Sequence, residues 1–130
     1  MSLSSAQWQS LRHSAQQQNL TSNAVLLTAF ARTLGHWSQQ PAMTLNLTTF
    51  QRHPVHPQVD QIIGDFTALS LLALDPDPQA SFLTQAAAVQ KQLFADLSHR
   101  LFSGVEVLRA LRQRQPDSDV LMPVVFTSTL

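Results

Sequence analysis

Hydrophobic and polar positions along the 130 residues alternate between helical and strand-like spacing. Trp8, Leu11 and Ala15 fall on one helical stripe, and Ser4 with Gln7 three residues on fits a capping box, which predicts a short helix through Gln18. Thr21 can cap a second helix, in which Leu27, Phe30, Ala31 and Leu34 recur at helical spacing to about Trp37 before Pro41 breaks the run. From Met43 to Phe50 the period becomes two. Met43, Leu45 and Leu47 lie on one face, and Thr44, Asn46 and Thr48 on the other. The expected strand therefore has one apolar face and one face of hydroxyls and an amide.

Gln51 to Gly64 reads as a loop, because Pro54 and Pro57 lack donors and fix their own φ. Phe66 to Leu74 is almost continuously apolar, as a strand covered on both faces would be. Asp75-Pro76-Asp77-Pro78 stops it, and Asp77 with Pro78 at the first helical position predicts the start of a long helix. Its stripe is Phe82, Ala86, Val89, Leu93 and Leu97. Ser103 with Glu106 forms a second capping box ahead of Val107, Leu108 and Leu111. A polar turn over Gln115 to Asp119 leads into a last strand, Val120 to Thr129, with Pro123 near its start. The fold class is α/β, with helices packed on a small mixed sheet. A chain stopping on an apolar strand with no blunted edge reads as cut. Met1-Ser2-Leu3 reads as a cloning scar on which nothing rests.

Composition narrows the function. Eight basic and eight acidic side chains give no net charge, which argues against nucleic acid and against an anionic membrane surface. Apolar residues are 44% of the chain and charged ones 12%, too apolar for disorder and low in charge for a surface meeting only water. A lobe that expects neighbours fits both numbers. Without cysteine there is no disulfide framework, no thiolate zinc site and no thiol redox chemistry. The first residues lack the pattern of a secretory signal, and no apolar stretch approaches membrane-helix length, so the cytoplasm is the default expectation. No internal repeat is visible.

Candidate chemistry is sparse. His53 and His56 stand three apart on the Pro-rich loop with Asp60 beyond, an incomplete ligand set that reads as solvated loop residues; His13, His36 and His99 have no ligand spacing. No metal site is expected. Thr127 and Ser128 offer hydroxyls, but no G-x-S-x-G turn surrounds Ser128, so from pattern alone they read as ordinary strand hydroxyls. Asn46 and Thr48 are equally compatible with a strand face turned to solvent. Gly64-Asp65-Phe66-Thr67 has two readings: a strand-opening turn in which Asp65 bonds neighbouring amides, or a carboxylate at the rim of a cleft. The pattern does not choose between them. Phosphate loops and paired-carboxylate motifs are missing from the sequence.

Four segments together resemble one family, in the right order from about Leu20 to Leu130. Leu20-Thr21-Ser22-Asn23-Ala24-Val25-Leu26-Leu27 is similar to the helix that opens the C-terminal lobe of condensation-type domains of nonribosomal peptide synthetases. Thr44-Leu45-Asn46-Leu47-Thr48-Thr49-Phe50 with His56-Pro57 is similar to the family's next segment. Gly64-Asp65-Phe66-Thr67-Ala68-Leu69-Ser70-Leu71-Leu72 and Pro123-Val124-Val125-Phe126-Thr127-Ser128-Thr129-Leu130 resemble the heterocyclization subtype, through the patterns G-D-F-T-x-L-x-L-L and P-V-V-F-T-S-x-L.

The resemblance implies a two-lobed chloramphenicol-acetyltransferase-like fold with a tunnel between the lobes, of which residues 1–130 are part of the C-terminal lobe and 1–19 a leading helix. It implies condensation of a carrier-bound acyl thioester with cysteine, serine or threonine, then cyclodehydration to a thiazoline or oxazoline, siderophores being one product class. The implied partners are the N-terminal lobe, upstream and downstream carrier domains and aminoacyl thioesters, with no nucleic acid and no membrane. No cofactor is implied on the lobe itself; phosphopantetheine arms of the carriers deliver the substrates. Thr127 matches a threonine implicated, with an aspartate, in cyclodehydration, and Asn46 and Ser128 match two further positions important for activity. Asp65 and Thr67 match the D-F-T motif, with a structural or cleft-shaping role, and Thr48 falls in the same channel or structural class. The family's paired-aspartate motif and the later motif carrying the aspartate partner of Thr127 are not in this sequence, so the 130 residues alone are expected to be silent. The alternatives are an ordinary amide-forming condensation lobe, a catalytically inactive scaffold lobe, or an unrelated binding module.

Overall fold

The computed structural model describes residues 3–116 and 121–128. Its order is α1 (Ser5–Gln17), α2 (Ser22–Ser38), β1 (Met43–Phe50), a 3-10 turn (Val59–Gln61), β2 (Thr67–Leu74), α3 (Phe82–Ser98), α4 (Gly104–Arg114) and β3 (Val125–Phe126). The three strands form one mixed sheet in the order β2-β1-β3, with β1 antiparallel to β2 and parallel to β3. This is the small mixed sheet with packed helices that the pattern predicts.

Every helix starts on a hydroxyl. Ser4, Thr21, Ser81 and Ser103 each accept a backbone N–H of the first turn, and α1 and α4 carry complete capping boxes, with Gln7 and Glu106 reaching back to the cap amide. Such a cap contributes about 1 kcal/mol, because it satisfies an amide that the helix itself leaves without an acceptor. The start expected at Asp77 and Pro78 is corrected: α3 begins at Phe82 behind Ser81. Asp77 instead accepts the Gln79 amide at 2.9 Å through Oδ1 and the Ala80 amide at 3.1 Å through its carbonyl. Aspartate serves a turn as well as a helix cap, and the Ser81 hydroxyl is the one that reaches the Thr84 amide, at 3.2 Å.

The core lies between one sheet face and the pair α2–α3. Leu27 and Ala31 of α2, Leu45 and Leu47 of β1, Leu72 and Leu74 of β2 and Val89 of α3 form one buried cluster, with Phe30 and Phe126 at its edge. The period-two pattern places these leucines together: Leu45 pairs with Leu72 and Met43 with Leu74 across the antiparallel ladder, so they share one side of the pleat. α4 covers β2 from the opposite side. A Cβ on Gly104 would lie 3.0 Å from the Leu69 carbonyl oxygen and 3.2 Å from Leu71 Cγ, so only glycine allows this approach. β2 is thus buried on its core face and only half-covered on the other, where α4 lies over Leu69 and Leu71 and leaves Thr67 and Ala73 exposed, less than its unbroken apolar run predicts.

A second, smaller cluster of Ala15, Leu20 and Ala86 joins α1 to α3. Above it the Gln90 amide bridges the corner between α1 and α2, accepting the Thr21 amide at 2.7 Å and donating to the Asn19 carbonyl at 2.8 Å. Those two bonds fix the start of α2, which the candidate site uses.

The last strand is shorter than its pattern. Among the described residues only Val125 and Phe126 pair with β1, opposite Asn46 and Leu47. Ahead of that pairing the Val124 carbonyl accepts the Asn46 amide at 2.8 Å. The expected strand ends Val120 and Thr129, with Leu130 and most of the polar turn before Val120, lie outside the described residues, as do Met1 and Ser2. Among the described residues no helix is long and apolar enough to cross a membrane.

Candidate active site

β1 builds the site by alternation. Leu45 and Leu47 enter the core with Met43 at its edge, so Thr44, Asn46 and Thr48 line the other face. Parallel pairing sets Val125 beside Asn46 and carries the next residue on that face, Thr127, to Thr48. Their hydroxyl oxygens are 2.9 Å apart. Thr48 is half-buried and Thr127 exposed, so the pair forms at the rim of the sheet with Thr127 outermost.

Asn46 is buried and grips the segment that carries Thr127. Its backbone N–H donates to the Val124 carbonyl, and its side-chain Nδ2 donates to the Met122 carbonyl at 3.1 Å. Two bonds from one residue hold the chain on either side of Pro123, where proline can donate none. The Asn46 Oδ1 is buried and has no hydrogen-bond partner among the described residues. Ser128, on the opposite side of the strand from Thr127, points to the start of α2. Its hydroxyl donates to Asn23 Oδ1 at 3.0 Å. Thr127 and Ser128 are therefore held by two different elements, β1 and α2.

Asp65 and Thr67 sit elsewhere. Asp65 Oδ1 accepts the Thr67 amide at 2.8 Å, as in a turn that opens β2, and the carboxylate is exposed. Bonds from the Thr67 hydroxyl and amide hold its pKa below the ordinary value. Thr67 pairs with Phe50 at the end of β1, on the same sheet face as Thr48 but on the far strand from Thr127. The structure thus brings Asn46, Thr48, Thr127 and Ser128 into one neighbourhood and leaves Asp65 with Thr67 at the mouth of β2. The adjoining loop is fastened by Arg52. Its guanidinium stacks 3.9 Å from the Phe66 ring centroid and donates to the carbonyls of Val59 and Ile62. His56 lies in the same loop and accepts the Gln58 amide on its own Nδ1.

Two clefts flank the sheet. One, of about 360 Å³, opens between α4 and the strands and is lined by Thr44, Leu71, Asp96, Gly104 and Met122. Burial raises the Asp96 carboxyl above its usual range, against a hydrogen bond from Gln92 and the attraction of His99. The other, about 400 Å³ between α2, α3 and the end of β2, touches none of Asn46, Thr48, Thr127 or Ser128. Among the described residues no three histidine, aspartate or glutamate groups gather as a metal set.

Two residues of this neighbourhood carry no signal in the pattern. Asn23 looks like a first-turn helix residue, and Met122 contributes only its carbonyl. Both become visible once strand pairing sets the distances.

The sheet, its helices and the sequence agree on a class. The condensation domain family matches residues 1–129, and the chain belongs to that family. Within it, the chain is 51% identical over 126 residues to pyochelin synthetase PchF of Pseudomonas aeruginosa, covering 97% of this chain and 7% of that protein. It is 40% identical over 116 residues to phenyloxazoline synthase MbtB of Mycobacterium tuberculosis, covering 89% of this chain and 8% of the relative. The cyclization-docking bidomain of the EpoB nonribosomal peptide synthetase from Sorangium cellulosum superposes with a TM-score of 0.82 at 39% identity, over 98% of this chain and 26% of that one. The chain thus spans less than a tenth of these two curated relatives.

Proposed function

We propose that the chain is part of the C-terminal lobe of a heterocyclization domain, and that the synthetase carrying it makes a thiazoline or oxazoline, in the manner of siderophore assembly. In the first step the amine of a carrier-bound cysteine, serine or threonine attacks the upstream acyl thioester. The C–N bond forms, the C–S bond breaks, and the amine proton leaves with the phosphopantetheine thiol. In the second the side-chain thiol or hydroxyl adds to the new amide carbonyl, whose oxygen takes up a proton and departs as water with the amide N–H proton. The new C–S or C–O bond closes the ring, and the C=N bond forms within it as water leaves. An amide is a poor electrophile, so this step depends on placed proton donors and on holding the two ends together.

The observation that carries the reading is the Thr48–Thr127 hydroxyl pair at the rim of the sheet, with Asn46 locking the strand behind it. Threonine is no free base at neutral pH. Thr127 serves as a hydrogen-bonding group toward the departing oxygen and toward an aspartate contributed from outside these residues. Asn46 and Ser128 keep that group in place, and Asp65 with Thr67 shape the mouth of β2. The names of the relatives, one a phenyloxazoline synthase and one a cyclization bidomain, support the ring-forming chemistry. The partners in this reading are the N-terminal lobe and two carrier domains.

The test is Thr127→Ala in the full synthetase, with products followed by mass spectrometry. Linear amide should accumulate while ring formation falls by about 100-fold or more, the scale of losing one placed hydrogen-bond donor at a developing charge. Equal loss of both products would refute the role of Thr127. A wild-type synthetase releasing only linear amide would assign the chain to an ordinary condensation domain.

A further inference from the structure

We propose that Thr48 is a positioning residue for ring closure, its hydroxyl donating to Thr127 Oγ1 so that the Thr127 O–H points away from the sheet toward the reacting amide. This deepens the reading of Thr127 given above and rests on it. Among the described residues the last ladder pair is Leu47 with Phe126, and side-chain bonds hold the next two residues: Thr48 to Thr127 and Ser128 to Asn23. Threonine at an exposed position has more than one accessible χ1 well, and one hydrogen bond from a strand residue selects among them.

The geometry allows either hydroxyl to donate, and Thr48 is taken as the donor from its surroundings. Each hydroxyl has one proton, and only one of the two can lie between the oxygens. Thr48 is the inner residue, fixed within the β1–β2 ladder, and Thr127 is the outer, exposed one. With Thr48 donating, the outer proton stays free for an external acceptor, and donation into Thr127 Oγ1 polarises that O–H. During ring closure the amide oxygen gains negative charge as the sulfur or oxygen nucleophile adds, and a donor already aimed at it costs no reorganisation. Thr48 itself gains and loses no proton.

The experiment uses the full synthetase with carrier-loaded substrates and reads linear and cyclised product in one run. Thr48→Val keeps the shape and removes the hydroxyl, whereas Thr48→Ser keeps the hydroxyl. The expected result is a roughly fivefold fall in the ring-to-linear ratio for T48V, the rate equivalent of one ordinary hydrogen bond, with T48S within about twofold of wild type. T48V combined with T127A should match T127A alone, since the two hydroxyls act as one unit. An unchanged ratio in T48V overturns the proposal, as does equal loss of linear and cyclised product, or T48S as damaging as T48V. If ring formation survives T127A, the reading of Thr127 fails and takes this one with it; if T127A blocks the ring and T48V does not, Thr48 alone is wrongly assigned.

Discussion

The two faces of β1 obey different rules. On one, Leu45 and Leu47 meet Leu72, Leu74 and the helices above, and burial alone explains which residues are there. On the other, Asn46 and Thr48 are held by specific hydrogen bonds, and one acceptor, Asn46 Oδ1, is buried without a partner among the described residues. The apolar face tolerates any side chain of the right shape. The polar face depends on atoms being in particular places, so small changes there should alter chemistry more than stability.

The strongest way to break that contrast is Leu45→Ala. Leu45 is fully buried, and its loss should cost roughly 3 kcal/mol, seen as a large fall in the midpoint of chemical denaturation of the domain carrying it. A loss well under 1 kcal/mol would mean that this face is not the core. Asn46→Ala should cost about 1 kcal/mol, because the Met122 carbonyl loses its donor while the orphaned Oδ1 disappears with the side chain. Faster hydrogen exchange should then be confined to the segment around 121–128, with β1 and β2 protected as before. If exchange rises across the whole sheet, Asn46 belongs to the core and not to a clamp on β3.

Smallest is the effect of pH on α4, the helix that covers part of the polar side. Bonds from the Ser103 amide and hydroxyl lower the Glu106 pKa below its ordinary value. A depressed folded pKa gives stabilisation that is present above the unfolded pKa and lost as pH falls through the folded one. Glu106→Gln should therefore lower the melting temperature slightly at neutral pH, and the two proteins should converge once the pH is below the folded pKa. A difference that persists in acid would assign the effect to packing instead of to the capping carboxylate.

Much of this arrangement was legible in the residues. Ser4-x-x-Gln7 and Ser103-x-x-Glu106 marked two helix starts because capping is a local bond between near neighbours. The alternation in Met43 to Thr48 separated the core face from the polar face. Asp77 was misleading because aspartate suits a turn and a helix start alike, and only the path of the chain decided for Ser81. The apolar run of the last strand shows no sign that, among the described residues, pairing with β1 is confined to Val125 and Phe126. The D-F-T turn left two options open, and the Asp65 bond to the Thr67 amide is that of the turn.

By itself, then, the sequence determined three of the four helix caps (Ser4, Thr21 and Ser103), the two-sided character of β1 and the family, because each is written in residues close together in the chain. The tertiary structure decided that Thr48 meets Thr127 across 79 positions, that Asn46 holds Met122 across 76 and that Asn23 meets Ser128 across 105. Those contacts depend on the strand order β2-β1-β3 and on parallel register. Both are fixed only when the leucine face closes under α2 and α3, a collective event that no local pattern encodes.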